Sequence, residues 1–248
     1  MPEIAIIGGT GLSQLKSLQN VKKKVVKTPY GEPSSPLTFG TLNGVDIVFL
    51  ARHGYGHTIP PHKVNYKANI WAIEQTGVKK LLALAAVGAI NETMAPGEIV
   101  IPDQLIDYSW GRSSSYFEED LEKVTHIDFT LPYSVALRET LAAAMNKAGL
   151  PLIDKAVYAC MQGPRLETAA EIEKLKRDGC DLVGMTGMPE TALARELKLQ
   201  YACCAVVVNW AAGIAGDEIK LQDIEKYIEL GMKKFSRLLD ELVKSIAE

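Results

Sequence analysis

Polar residues placed just beyond apolar runs carry the chemistry open to this chain. In "VVVNWAAG" (206–213), Asn209 follows three β-branched residues of a buried strand. A buried carboxamide without partners costs about 1–3 kcal/mol, so either the turn beyond it or a ligand must occupy Asn209. In "ARHG" (51–54), Arg52 and His53 stand at another strand end. Arginine offers a planar fork to phosphate or carboxylate; a surface ion pair is the plainer alternative. In "GGTG" (8–11), glycines let backbone N–H groups approach an anion, with Thr10 beside them, or they make a tight turn. No GK[ST] follows, and Gln14 stands where a third glycine of GxGxxG would be, so neither nucleotide fingerprint is present. Glu167 in "QGPRLET" (162–168) opens a helix, either as a capping acid or as an acceptor for a heterocycle N–H. In "GMTGMPE" (184–190), Met185 fits core packing and Thr186 fits a helix cap or an anion contact.

His53, His57 and His62 raise the question of a metal. Gly54 and Gly56 argue against a helix holding His53 and His57 on one face, and no acidic ligand lies nearby, so no metal is expected. Cysteines 160, 180, 203 and 204 have no CxxC spacing and adjoin apolar segments, which predicts buried thiols in a reducing compartment. No serine–histidine–acid order is evident. The set suggests one oxyanion pocket in which phosphate is positioned against a neutral organic substrate.

The elements that must position these groups alternate. Strands are expected in "IAIIGGTGL" (4–12), 45–54, 78–90, 97–108, 156–165, 180–190 and 200–213. Helices are expected over 65–77, ending at Gly77, and over 167–179, with Ala169, Ile172 and Leu175 on one face and Gly179 as stop. A further helix over 189–199 has Pro189 at its first position, an acid early and Lys198 late. The tail 221–248 reads as a long amphipathic helix or pair through Leu221, Ile224, Ile228, Phe235, Leu238, Leu242 and Ile246. This predicts one α/β domain over 1–248, a central mixed β-sheet flanked by helices, with ligands where strands end and helices begin.

The bulk numbers agree. The 248 residues are 47% hydrophobic and 23% charged, with a net charge of −3, an ordinary globular composition. The mild acidity gives no electrostatic case for nucleic acid or an anionic membrane surface. No apolar run approaches the roughly 20 residues of a membrane span. Met1-Pro2-Glu3-Ile4 lacks a basic signal-peptide n-region, so a cytoplasmic protein is expected.

Taken together and in order, "IIGGTGL", "ARHG…HTIPPHKVNYKANIWA", "GPRLETAAEI", "GMTGMPETALARE" and the asparagine of "VVVNWAAG" resemble the trimeric purine nucleoside phosphorylases, and within them the methylthionucleoside branch. The likeness runs from about residue 4 to 215. It implies reversible phosphorolysis: phosphate attacks C1′ of a purine nucleoside through an oxocarbenium-like transition state, releasing base and a ribose 1-phosphate. It further implies that phosphate is held by Thr10, Arg52, His53, the Ala86 backbone and Thr186. Met185 would pack under the ribose, Leu166 would join the substrate contacts, and Glu167 and Asn209 would meet the base. His126 in "THIDF" would reach a neighbouring subunit's 5′-pocket in a homotrimer. Asn209, Glu167 and His53 are the expected catalytic groups. Phosphate is a co-substrate, and no cofactor is implied.

Adenine-specific members carry a DxD-like pair where this chain has Asn209 and Ala211, and serine where it has Glu167. Glu167 can accept from N1–H, which hypoxanthine has and adenine lacks, and a carboxamide can donate to O6 or N7. The resemblance therefore implies a 6-oxopurine base with a 5′-methylthio group, a methylthioinosine. A methylthioadenosine phosphorylase, a general inosine/guanosine phosphorylase and a non-catalytic nucleoside- or phosphate-binding protein of the same fold are the rivals. The family usually has threonine or asparagine at the position of Ala85, so weaker phosphate or ribose contact, or a compensating neighbour, is expected there.

Overall fold

The computed structural model describes residues 1–12, 15–119, 122–215 and 218–247; Gln14 and Glu248 lie outside them. Four strands run parallel at its centre: β1 (Ile4–Gly8), β4 (Val45–Ala51), β5 (Lys80–Ala89) and β10 (Gln200–Trp210). They are buried on both faces, which is why they read as unbroken apolar runs. β2 (Gln19–Lys24) and β3 (Leu37–Leu42) extend one edge antiparallel. On the other side β9 (Leu182–Gly184), β8 (Val157–Cys160) and β7 (Gln104–Asp107) continue the sheet, while β6 (Ile99–Val100) pairs with β10. The expected strand over 97–108 is thus two strands, because Pro102 between them cannot donate to a ladder. The result is a single α/β domain on a mixed sheet of ten strands among the described residues.

Side-chain alternation sorts the central strands between two helical layers. Ala5, Ile7, Val48 and Leu50 pack with Ile70 and Ile73 of α1 (Tyr66–Glu74) and with Leu193 of α4 (Glu190–Glu196). Ile4, Ile6, Ile47 and Phe49 pack with Leu137 and Leu141 of α2 (Val135–Lys147) and with Phe235 and Leu238 of α5 (Leu221–Ala247). The tail is one helix rather than two. Its first apolar position, Leu221, is exposed, because the first turns run past the sheet before Phe235 meets the core. α3 (Ala169–Arg177) buries Ile172 and Leu175, whereas Ala169 is exposed. Its cap is Thr168, whose side chain and that of Glu171 form a reciprocal capping box; Glu167 is thereby spared that task. Gly179 follows the α3 C-cap Asp178 with φ +84°. α1 ends earlier than expected, at cap Gln75, with Gly77 beyond it. Pro189 is the cap of α4, not its first helical residue, and Lys198 lies beyond the helix end. Among the described residues, no helix is long and apolar enough to cross a membrane, and all four cysteines are buried free thiols.

Candidate active site

The strand ends of β1, β4 and β9 converge with the outer halves of β5 and β10 around a cavity of about 540 Å³. Thr10, Arg52, His53, Ala86, Leu166, Glu167, Met185, Thr186 and Asn209 all line it. These residues, scattered over two hundred positions of the chain, meet because one sheet gathers the turns that follow its strands.

Arg52 is neither a surface residue nor a free fork. It is 1% exposed, and its Nε and Nη2 donate to the two carboxylate oxygens of Glu190 at 2.6 and 2.8 Å, while Nη1 donates to the Leu84 carbonyl at 2.8 Å. Glu190, fully buried at the start of α4, also accepts from the Tyr201 hydroxyl at 2.8 Å. Burial works against the Arg52 charge, and the Glu190 carboxylate more than restores it, so the guanidinium stays charged. A guanidinium has five N–H donors, so this side-on pair leaves one on each terminal nitrogen for a ligand. Gly9 makes the approach feasible: a Cβ there would sit 2.5 Å from the Leu84 carbonyl oxygen and 2.9 Å from Arg52 Nη1. Glu190 was not apparent from sequence, where it reads as an ordinary helix N-terminal acid.

His53 lies beside Arg52, with Nδ1 2.8 Å from the Ile59 carbonyl oxygen. A carbonyl only accepts, so Nδ1 carries the proton and Nε2 is left as an acceptor. Burial, and then the Arg52 charge, push its pKa down to about 4, so the ring is neutral at physiological pH. The His57 ring packs against it at 4.7 Å between centroids, tilted by 56°. Thr186 is buried, and its backbone N–H reaches the Tyr158 hydroxyl at 3.4 Å; it lies too far ahead of α4 to cap that helix. Ala85 and Ala86 present only methyl groups and backbone to the cavity.

Asn209 and Glu167 are held more lightly. Between Val207 and Asn209 the β10–β5 register slips by one residue, a bulge that sets Asn209 opposite Gly88. Asn209 Nδ2 donates to the Trp210 carbonyl at 2.6 Å. The turn therefore takes one donor, and among the described residues Oδ1 has no hydrogen-bond partner. Glu167 is half-buried; desolvation raises its pKa above the usual carboxylate value. Neither side chain touches a charged partner as close as the one Arg52 has.

His126 is exposed and stands outside the cavity of its own chain. Two lining residues had no signal as site residues in the sequence: Ile219 and Ile224, from the segment entering α5 and its first turn. The periodicity of α5 marks Ile224 only as apolar.

The phosphorylase superfamily model matches residues 3–244. A protein named probable S-methyl-5'-thioinosine phosphorylase from Pseudomonas syringae pv. tomato is 52% identical, covering 99% of this chain and all of its own. The 6-oxopurine nucleoside phosphorylase of Pyrococcus furiosus is 42% identical, over 99% of this chain and 92% of its own. Among solved structures, a methylthioadenosine phosphorylase from an antarctic soil metagenomic library superposes with a TM-score of 0.93 at 35% identity, covering 99% of this chain and 86% of that one. With sequence, fold and cavity residues in agreement, this chain belongs to the phosphorylase superfamily.

Proposed function

We propose that the chain phosphorolyses 6-oxopurine nucleosides, with S-methyl-5'-thioinosine as the preferred substrate, releasing hypoxanthine and 5-methylthioribose 1-phosphate for purine salvage. The observation that carries this reading is the placing of Glu167 and Asn209 in one cavity with Thr10, Arg52, His53 and Thr186. Phosphate sits at the strand-end groups, donated to by the remaining Arg52 N–H groups and by Thr10 and Thr186. The Nε2 lone pair of His53 accepts from a protonated phosphate oxygen or a sugar hydroxyl. Phosphate oxygen bonds to C1′ as the C1′–N9 bond breaks, and its electron pair passes to the purine ring. The charge gathering toward O6 and N7 meets the free N–H of Asn209, while Glu167 accepts from N1–H. Groups aimed at developing charge contribute more than groups that merely bind. Adenine has no N1–H, and leaving a buried acceptor unpaired penalises it by as much as about 10⁴-fold.

Two observations favour the methylthio group over a 5′-hydroxyl: the similarity to proteins named for methylthioinosine, and Ile219 and Ile224 in the cavity wall. A general inosine/guanosine phosphorylase is the second reading, favoured by the relatives named for 6-oxopurine nucleosides. We further place the protein in the cytoplasm as a homotrimer, with His126 reaching a neighbouring cavity. Trp110, Val124 and Leu131 are exposed, apolar area of the kind that copies of a chain bury on association. No resident cofactor enters this scheme.

The deciding experiment is a phosphate-dependent panel of methylthioinosine, methylthioadenosine, inosine, guanosine and adenosine, with product bases identified by chromatography. Methylthioinosine should show the highest kcat/KM. Faster turnover of the adenine nucleosides overturns the base assignment, and preference for inosine in direct competition overturns the 5′ assignment. Sedimentation should give three copies, and H126A should raise KM for the methylthio substrate.

A further inference from the structure

Arg112 stands behind the cavity wall and does not line it, yet its guanidinium grips both loops that build its base and ribose sides. Nη2 donates to the carbonyls of Met161 at 3.2 Å and Gln162 at 2.8 Å, and Nε to Gln162 Oε1 at 3.1 Å. Nη1 donates to the carbonyls of Met185 at 2.9 Å and Met188 at 2.5 Å, with the Tyr66 hydroxyl at 3.4 Å. Its charge also lies 5.6 Å from the centre of the Tyr66 ring. The first loop, between β8 and α3, leads to Leu166 and Glu167; the second, between β9 and α4, carries Met185 and Thr186 into the cavity. Only a flat fork with five donors spans carbonyls on two loops at once; a lysine ammonium is a point charge on a flexible stem. The same side chain is anchored two residues from the exposed Trp110, whose backbone N–H donates to Gln162 Oε1.

We propose that Arg112 is a positioning residue that fixes the loop bearing Glu167 against the loop bearing Met185 and Thr186, so that base and phosphate are held in one geometry. This rests on the phosphorylase reading for its kinetic consequence, but the clamp itself is testable without a substrate. Small misplacements of reacting groups cost on the order of 100-fold in rate. R112A should therefore lower kcat/KM on that order for nucleoside and for phosphate alike, with both KM values raised. Backbone amide exchange should quicken in 161–168 and 184–189 together, and not in 51–54 around Arg52. Added guanidinium should restore part of the R112A rate, whereas R112K should stay closer to R112A than to the parent. The proposal is overturned if R112A keeps both kcat/KM values within about threefold, if only one loop exchanges faster, or if R112K behaves as the parent. Should R112A fail to fold, R112K decides: raised KM for both substrates at a near-parental Tm supports the clamp, and parental KM values overturn it. If the unmodified chain phosphorolyses no nucleoside, the function assignment fails, and exchange in the two loops alone decides the clamp.

Discussion

The two ends of the cavity are built on different principles. At the end proposed for phosphate, the anion end, Arg52 is 1% exposed and locked by Glu190 and the Leu84 carbonyl, with Tyr201 holding Glu190 in turn. At the end proposed for the purine, the base end, Asn209 rests on one bond to its neighbour's carbonyl and Glu167 sits half-buried at a helix entrance. The first end is held by its own buried partners; the second is a pair of short polar side chains with hydrogen-bonding capacity left over for a ligand. Charge placement at the anion end therefore bears on stability and turnover together, whereas changes at the base end redirect specificity.

The largest test removes Arg52. R52A leaves the buried Glu190 carboxylate without its counter-charge, and breaking such pairs costs about 3–5 kcal/mol. Urea denaturation should record that loss, and phosphorolysis should fall at least about 10³-fold. E190Q should lower stability in the same direction while keeping the shape of the site. If either variant melts like the parent, the anion end is not the integrated unit described here.

The converse test is at the base end. E167Q should cut kcat/KM for 6-oxopurine nucleosides by up to about 10²-fold, the size of one hydrogen bond to a charged group that becomes neutral, with Tm unchanged within a degree or two. N209D should narrow the gap between 6-oxo and 6-amino nucleosides. A large loss of stability in either variant would erase the contrast between the two ends.

His53 supplies a pH test. Its pKa is depressed from 6.5 to about 4 in the folded chain. The unfolded chain thus takes up its proton first, and stability present above about pH 6.5 is lost as pH falls towards 4. The full contribution is about 3 kcal/mol. H53Q should flatten that part of the stability–pH curve; an unchanged slope assigns it to other groups. The smallest effect is expected at Ala85. A85T adds a hydroxyl to the cavity wall and should lower KM for phosphate by about threefold, one modest hydrogen bond's worth.

Strands β1, β4, β5 and β10 were legible in the sequence because a strand buried on both faces must be apolar throughout, and the turns after them stood out as polar interruptions. The same logic exposed Thr10, Arg52, His53, Thr186 and Asn209. β2, "QNVKKK", left no such trace: it is an exposed edge strand whose lysines discourage further pairing. α2 is equally faint in the sequence, its buried Leu137, Leu141, Ala144 and Met145 set among further alanines. Glu190 was hidden by an adequate simpler role as a helix-start acid, and its true partner stands far away in the chain. Arg112 was hidden more thoroughly, because backbone carbonyls are its main partners and every residue type has one. Short-range pattern marks where polar groups stand; which of them meet is decided by long-range pairing.

That pairing has a consequence for how the protein comes into being. β5 is hydrogen-bonded to β1, to β10 along its whole length, and to β9 at its end. Gln200 pairs with Lys80 and Trp210 with Ala89, so the strand carrying Ala85 and Ala86 keeps an open edge while most of the chain is made. During synthesis the first half can form β1–β4–β5, but its apolar edge waits for β10 to emerge and close it. Until then the nascent chain has half of an anion site, no Asn209, and a sticky ribbon.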